Sequence, residues 1–313
     1  MIKTHGIHHV TSVVGPAQEN VDFNAGILGL RLVKKTLNFD DRHVYHLYYG
    51  NDKADTGITT TFPITGAGEG VTGGGQVSSV QYAIRPGQKQ FWEKRLNDYG
   101  VGSDQAEYLD QSVLALKDPS GLKLEMIETE EGPANSWSFS GVEGDRAVTG
   151  IHAATLASVD PEETLKLLTS VMGYAIDAEG DEYYRLKVHD GLGGLLYLNK
   201  IPAERGRYGT GTVHHIAFAI RNDEAQAWQE LLTEKGYRPT EIKDRKYFRS
   251  IYFREKGGIL FEFATEGPGF FIDEDEAHLG ETVMIPPNFA AYEEEIRQEI
   301  EPIEVREVKP SEV

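Results

Sequence analysis

The chain has 313 residues, 39% hydrophobic and 26% charged, the balance of a globular protein with room for two ordinary domains or one large one. Its formal net charge is −19, and no basic stripe interrupts the acidic excess, which argues against a nucleic-acid partner. There is no cysteine, so disulfides and thiolate metal sites are excluded and a metal must sit on nitrogen and oxygen donors.

No stretch approaches the roughly 20 apolar residues of a membrane span. The N-terminal MIKTHGIHHV lacks the apolar run of a signal peptide. The expected setting is therefore cytoplasmic, without a membrane partner. A homo-oligomer is left open.

In chain order, GIHHVTSVV (6–14) reads as a strand and leads to the helical QENVDFNAGILG, ending at Gly29; GITTTFPI (57–64) reads as a further strand. GAGEGVTGGG (66–75) resembles a nucleotide-binding glycine loop but opens no helix, so it is expected to be a flexible linker. The order then repeats. VSSVQYAIR (77–85) precedes the amphipathic helix 87–100 and the strand GLKLEMIE (121–128), and 131–148 reads as a linker between halves. GIHAATLAS (150–158) precedes a helix in which Asp160 caps, Pro161 takes the first position and Glu163 completes a capping box. That run ends in GLLYLNK (194–200). VHHIAFAIR (213–221), helix 222–236 and GILFEFAT (258–265) complete a fourth copy. A tail follows, with a solvated acidic edge DEDEAH (273–278) and a helix at 290–300.

The repeats predict an α+β fold of four βαβββ modules, at 5–65, 77–130, 149–200 and 212–266, with a C-terminal tail at 267–313. One such unit cannot bury its sheet face alone, so units must pair into cups whose interior is the natural ligand site. Neighbouring strand residues face opposite sides, which sorts the first strands into two columns: His8, Ser78, His152, His214, and His9, Ser79, Ala153, His215. Counting from the glycine of each last strand aligns Thr61, Glu125, Leu198 and Glu262. Only module 1 joined to module 4 makes a complete set, His9, His215 and Glu262, leaving module 2 to pair with module 3 in a structural cup.

Adjacent histidines on a strand are often only satisfied core residues. Here they recur at equivalent repeat positions, beside a glutamate flanked by Phe261 and Phe263, and a carboxylate in so apolar a strand needs a cationic partner. Two histidines and one carboxylate leave open positions, the arrangement of non-haem Fe(II) oxygenases; a zinc hydrolase can use the same set. His152 falls in the first column and reads as a packing residue unless its strand is bulged. One of His43 and His46, in HVYHLYYG, can border the cup, but neither receives a role.

GIHHVT, TVHHIAFAI, DRKYFRSIYFRE and GGILFEF together resemble the ring-cleaving dioxygenases of the vicinal oxygen chelate superfamily, in the branch that opens hydroquinones. The likeness spans essentially the whole chain. It implies two cup-shaped half-barrels and Fe(II), with Mn(II) as the alternative, held by His9, His215 and Glu262. It places His8, Thr11, His214, Arg245 and Tyr252 around metal and substrate. The implied activity is extradiol-type cleavage of a hydroquinone or catechol by O2. The hydroxyl of Thr11 can then reach the site, Tyr252 can donate to a substrate hydroxyl, Arg245 suits a phenolate or oxygen-derived anion, and His214 suits a proton shuttle. Two alternatives stand: a glyoxalase-type metal-dependent lyase or isomerase, which expects a fourth ligand where Thr61 stands, and a non-catalytic quinone- or drug-binding protein.

Overall fold

The computed structural model describes residues 2–54 and 57–310. The order strand, helix, three strands occurs four times. The first run is β1 (Ile7–Val14), α1 (Ala17–Val21), which continues as a π-helical turn over Asp22–Ile27, then β2 (Arg31–Asn38), β3 (Asp41–Gly50) and β4 (Ile58–Pro63). The second is β5 (Gln76–Ile84), α2 (Lys89–Asp98), β6 (Ser103–Tyr108), β7 (Gln111–Lys117) and β8 (Lys123–Glu128). The third is β9 (Gly150–Ala157), α3 (Pro161–Ser170), β10 (Ala175–Glu179), β11 (Tyr183–Lys187) and β12 (Leu195–Asn199). The fourth is β13 (Thr212–Ile220), α4 (Ala225–Glu234), β14 (Lys243–Asp244), β15 (Arg249–Arg254) and β16 (Leu260–Thr265). The tail adds β17 (Val283–Met284) and α5 (Glu293–Glu299); residues 311–313 lie outside the described residues.

Two curled sheets result. One has the order β14-β15-β16-β13-β1-β4-β3-β2-β17, the other β10-β11-β12-β9-β5-β8-β7-β6. The joins are antiparallel, β1 on β13 and β5 on β9. The first and last runs thus share one sheet and the middle two share the other, as the ligand count required.

Side-chain alternation decides which face becomes the cup. In β16, Phe261 and Phe263 turn to the back of the sheet, where Phe263 packs edge-on to Trp228 of α4 at 4.6 Å and Phe261 meets Phe218 at 4.9 Å. Trp92 of α2, Leu168 of α3 and Trp228 are fully buried on these backs, each side chain contributing about 1.5–3 kcal/mol of apolar burial. With the phenylalanines committed to the helices, Glu262 is left on the concave face. The sheets approach closely at Gly57 (φ +53°), where a Cβ would lie 2.2 Å from the Ile151 nitrogen.

Several local expectations change. The capping box of α3 is only half closed. Asp160 accepts from the Glu163 N–H at 3.3 Å, but its own N–H donates to Ser158 Oγ at 3.0 Å and the Glu163 carboxylate pairs with Lys256. The glycine-rich segment is not a loose linker: Val71 and Arg207 exchange backbone hydrogen bonds of 2.8 Å. The acidic run is a solvated edge only over 275–278, which are exposed, while its first two residues dock. Asp273 lies 2.7 Å from the Nζ of Lys34, a fully buried lysine of β2, and accepts from Tyr247 at 3.0 Å, while Glu274 also pairs with Lys34. An unpaired buried ammonium would be costly, so the tail docks where it neutralises Lys34. Among the described residues no helix is long and apolar enough to cross a membrane.

The largest departure concerns the pleat. His9 pairs with Ala217 while Ile7 pairs with Phe218, so His8 is an extra residue in β1; on β13, His214 is extra between His215 and Val213. Ser78 in β5 and His152 in β9 are extra in the same way. These are β-bulges, which place two residues against one and bend the strand. The first column of histidines is therefore a column of bulges, and its members are not simply turned to the opposite face.

Candidate metal centre

His9 from β1, His215 from β13 and Glu262 from β16 meet on the concave face of the nine-stranded sheet. Register explains the meeting. His9, Ala217, Glu262 and Tyr252 lie side by side across β1, β13, β16 and β15, and Thr60, Thr11 and His215 lie side by side across β4, β1 and β13. Ala217, fully buried between His9 and Glu262, is small enough for the two flanking side chains to close over it.

The Nε2 atoms of His9 and His215 are 3.3 Å apart, and Glu262 Oε2 lies 3.3 Å from the first and 2.8 Å from the second. Metal–ligand bonds of about 2.1 Å at right angles would put donors about 3.0 Å apart, so the three atoms fit one cation. Glu262 is fully buried, its Oε1 accepts from Ser250, and its Oε2 has no hydrogen-bond partner. Burial alone would raise the Glu262 pKa, but the His9 and His215 imidazoles outweigh it and hold the carboxyl well below its usual range. An orphaned, ionised carboxylate oxygen facing two imidazole nitrogens is what a metal ligand set requires. Among the described residues this is the one group of three histidines or carboxylates close enough to share an ion.

The bulges supply the backing for this trio. His8 Nδ1 lies 2.8 Å from His9 Nδ1, and His214 Nδ1 lies 2.8 Å from His215 Nδ1. Burial lowers the pKa of both outer histidines to about 3, so each is a neutral ring able to accept the Nδ1–H of its neighbour. That leaves the Nε2 lone pairs of His9 and His215 free to bind a cation. In the metal-free protein His214 is thus a neutral ring near pH 7. His214 lines the cavity above the trio; His8 lies on the far side of His9, on the wall of a separate cavity with Phe270 and His189.

The cavity in front of His9 and His215 has a volume of about 380 Å³, with Phe62, Phe248 and Leu260 among its apolar walls. Tyr252 and Arg245 both line it. Tyr252 sits edge-on to His215 at 5.6 Å, and burial raises its pKa so that the phenol stays protonated. Arg245 reaches Asp40 at 2.8 Å and lies 5.4 Å from the Tyr252 ring centre. Thr11 lies deeper, 2.9 Å from His215 Nε2 and 2.6 Å from Thr60 Oγ1.

The position paired with Thr11 is Thr60, and the glycine count that selected Thr61 is off by one; Thr61 donates to Asn20 instead. Of the two histidines that could border the cup, it is His46 that does, and Tyr48 and Phe248 join it without having been singled out in the sequence. His46 and Tyr48 share one face of β3 and both line the cavity, a period-two signal that the strand HVYHLYYG does carry. Phe248 comes from the turn between β14 and β15 and packs 5.3 Å from His9, and no periodicity announces it. His43 is exposed, 3.9 Å from Glu299. His152 is buried in the other sheet, 3.6 Å from Glu131, and takes no part.

A sequence model of the Glyoxalase/Bleomycin resistance protein/Dioxygenase superfamily matches residues 150–263. The chain is 46% identical over 309 residues to "putative ring-cleaving dioxygenase MhqO" of Bacillus subtilis (strain 168), covering 98% of this chain and 99% of that protein. It is 34% identical over 308 residues to the chlorohydroquinone/hydroquinone 1,2-dioxygenase of Sphingobium indicum, covering 94% and 95%. The crystal structure of a putative dioxygenase from Bacillus subtilis subsp. subtilis str. 168 superposes with a TM-score of 0.96 at 44% identity, covering 98% of this chain and 100% of that one.

Proposed function

Since the chain belongs to the glyoxalase/bleomycin resistance protein/dioxygenase superfamily, we propose that it is a ring-cleaving dioxygenase that holds Fe(II) on His9, His215 and Glu262 and opens a hydroquinone with O2. The observation that carries this reading is the trio itself: three buried donors 2.8–3.3 Å apart at the base of an aromatic-walled cavity. Three protein donors leave coordination positions for substrate and O2. The bound ion would supply the electronic path between an electron-rich ring and O2.

The residues of the chain do the rest. A cavity of about 380 Å³ is at the small end of ligand sites, which run about 300–1,000 Å³, and suits a single ring between Phe62 and Phe248. Tyr252 can donate to a substrate oxygen, and Arg245 presents a fixed positive charge to a phenolate. His214, neutral above the trio, can accept a hydroxyl hydrogen bond without adding charge. The apolar walls limit water, which strengthens each of these contacts.

One relative is named a chlorohydroquinone/hydroquinone 1,2-dioxygenase, and hydroquinones are para-diols. The para-diol is therefore the first substrate to try, and cleavage beside a catechol's paired hydroxyls is the second. A glyoxalase-type reaction is the weaker reading, because a fourth carboxylate would be expected beside the trio and Thr60 stands in that row.

Protein loaded anaerobically with Fe(II), then given hydroquinone, methylhydroquinone or catechol with O2, is expected to consume one O2 per ring opened. An absence of oxygen uptake across that panel refutes the reading, and a protein that takes up no metal points instead to a binding role.

A further inference from the structure

A single line of hydrogen bonds runs from the cavity wall to the metal trio through residues that the proposed reaction has not yet used. Tyr48 Oη lies 2.9 Å from His46 Nδ1; His46 Nε2 lies 3.0 Å from Thr60 Oγ1; Thr60 Oγ1 lies 2.6 Å from Thr11 Oγ1; and Thr11 Oγ1 lies 2.9 Å from His215 Nε2. All five residues are at most 7% exposed. Register keeps the line intact, because Tyr48, Thr60 and Thr11 are direct neighbours across β3, β4 and β1, and His46 is two residues from Tyr48 on the same face.

Two hydroxyls facing each other can share their hydrogen in either sense, so Thr11 and Thr60 alone would not fix which one donates. The far end of the line decides. Burial lowers the proton affinity of His46 and raises the pKa of Tyr48, leaving one neutral imidazole with one N–H and one lone pair beside one protonated phenol. Among the described residues His46 Nδ1 is the hydrogen-bond partner of Tyr48 Oη, so the proton that the phenol keeps is directed there and Tyr48 donates. The Nε2–H of His46 must then donate to Thr60, Thr60 to Thr11, and the Thr11 hydrogen is left pointing out of the chain beside His215.

We propose that Tyr48, His46 and Thr60 set the direction of this chain so that Thr11 is a fixed hydrogen-bond donor to an anionic oxygen bound beside His215. His46 is then a positioning residue, acting through two threonines on a substrate or oxygen-derived atom that it does not touch. The inference rests on the dioxygenase reading for the identity of that oxygen, but the direction of the chain is a property of the metal-free protein.

The test has two independent readouts. In metal-free protein with 15N-labelled histidine, ring NMR should show His46 as the Nε2–H tautomer, and Tyr48→Phe should release it to a mixture. A predominant Nδ1–H tautomer, or a charged ring, at neutral pH overturns the proposal. In Fe(II)-loaded protein, T11V and H46F should each lower kcat/KM for hydroquinone by about 10- to 100-fold, the loss of one hydrogen bond to a charged oxygen, with metal content unchanged. The double variant should be no worse than either single, because both remove the same donor. H46Q should stay within about 3-fold of the parent, since an amide can accept from Tyr48 and donate to Thr60. Additive losses, or an H46Q as poor as H46F, overturn the proposal. If the parent consumes no O2, the reaction assignment fails while the NMR still decides the chain.

Discussion

The two sheets carry the same positions and put different side chains on them. In the nine-stranded sheet the concave face holds His9, Thr11, His215, Ala217 and Glu262; the eight-stranded sheet has Ala153, Thr155, Ser79, Gln81 and Glu125 at the corresponding places. Where the first has Thr60 the second has Tyr197, paired with Thr155 as Thr60 is with Thr11. Both sheets keep the bulges next to these positions, at His8 and His214 in one and at Ser78 and His152 in the other. The backbone device is thus duplicated and the chemistry is not. In the second cup, Tyr108 packs against Tyr183 and Tyr197 with ring centres 5.5 and 5.2 Å away, and donates to Glu125 at 2.6 Å. A retained carboxylate without its two imidazoles has become a hydrogen-bond acceptor under an aromatic plug. Function resides in the side chains grafted on the fold.

The sharpest way to break this comparison is to remove the equivalent carboxylates one at a time. E262Q, like H9A, is expected to lose Fe(II) binding entirely in metal analysis of anaerobically loaded protein, because the remaining donors cannot hold the ion against water. E125Q should retain a full equivalent. Metal loss in E125Q, or metal retained in H9A, would show that the trio is not the site.

A second test tries to turn one cup into the other. If the backbone already places the donors, then S79H with A153H should complete a trio with Glu125 once Tyr197→Thr opens the plug. The triple variant is expected to bind a second equivalent of Fe(II), more weakly than the native site because Ser78 cannot back an introduced imidazole as the His214 ring backs His215. A stoichiometry that stays at one would mean that the bulges differ in detail enough to spoil donor spacing, which tolerates errors of only a few tenths of an ångström.

How much of this was visible beforehand depends on the kind of signal. The duplicated HH pairs and the glutamate between two phenylalanines identified the trio, since repeats and alternation are local properties. The bulges were not legible: each adds one residue to one strand, and nothing in IHHV or VHHI distinguishes a bulged strand from a straight one. That hid the outer histidines' role as acceptors; Thr60 was missed for a different reason, since β1 and β4 pair without a bulge and Gly57 stands one residue nearer to Thr60 than Gly258 does to Glu262. Phe248 arrives through a turn, and the docking of Asp273 and Glu274 depends on a lysine from β2 that composition marks as a surface residue. Long-range partners of this kind cannot be read from spacing.

Acid titration gives a smaller, graded contrast. His8 and His214 have folded pKa values lowered to about 3, and His152 in the other sheet to about 4, each mainly by burial. A histidine whose folded pKa lies below its unfolded value near 6.5 binds fewer protons when folded. Its contribution is therefore intact above about pH 6.5 and erodes as the pH falls towards the folded value. Glu262 has the same sign lower down: its depressed pKa stabilises the fold above the usual carboxylate range, and the benefit disappears as the pH falls through the folded value. Denaturant melts of metal-free protein between pH 7 and 4 should lose stability on acidification. H214Q should flatten that loss more than a surface variant such as H43Q, and H152Q should flatten it comparably. An acid limb unchanged in both buried variants would contradict the burial argument.

The smallest expected effect separates stability from chemistry. Asp160 caps α3, on the back of the eight-stranded sheet, and its carboxylate satisfies the otherwise unpaired N–H of Glu163. D160A should cost about 1 kcal/mol of global stability, the usual value of an N-cap, measured by denaturant melts. Because the Glu163 carboxylate is engaged with Lys256 and not with the cap, E163A should not reproduce that loss, although a complete capping box would make the two variants alike. Neither should alter Fe(II) stoichiometry or oxygen uptake. A drop in metal content in D160A would mean that strain in the second sheet reaches the first, through the close packing at Gly57 and Ile151, and that the plugged half tunes the open one instead of merely supporting it.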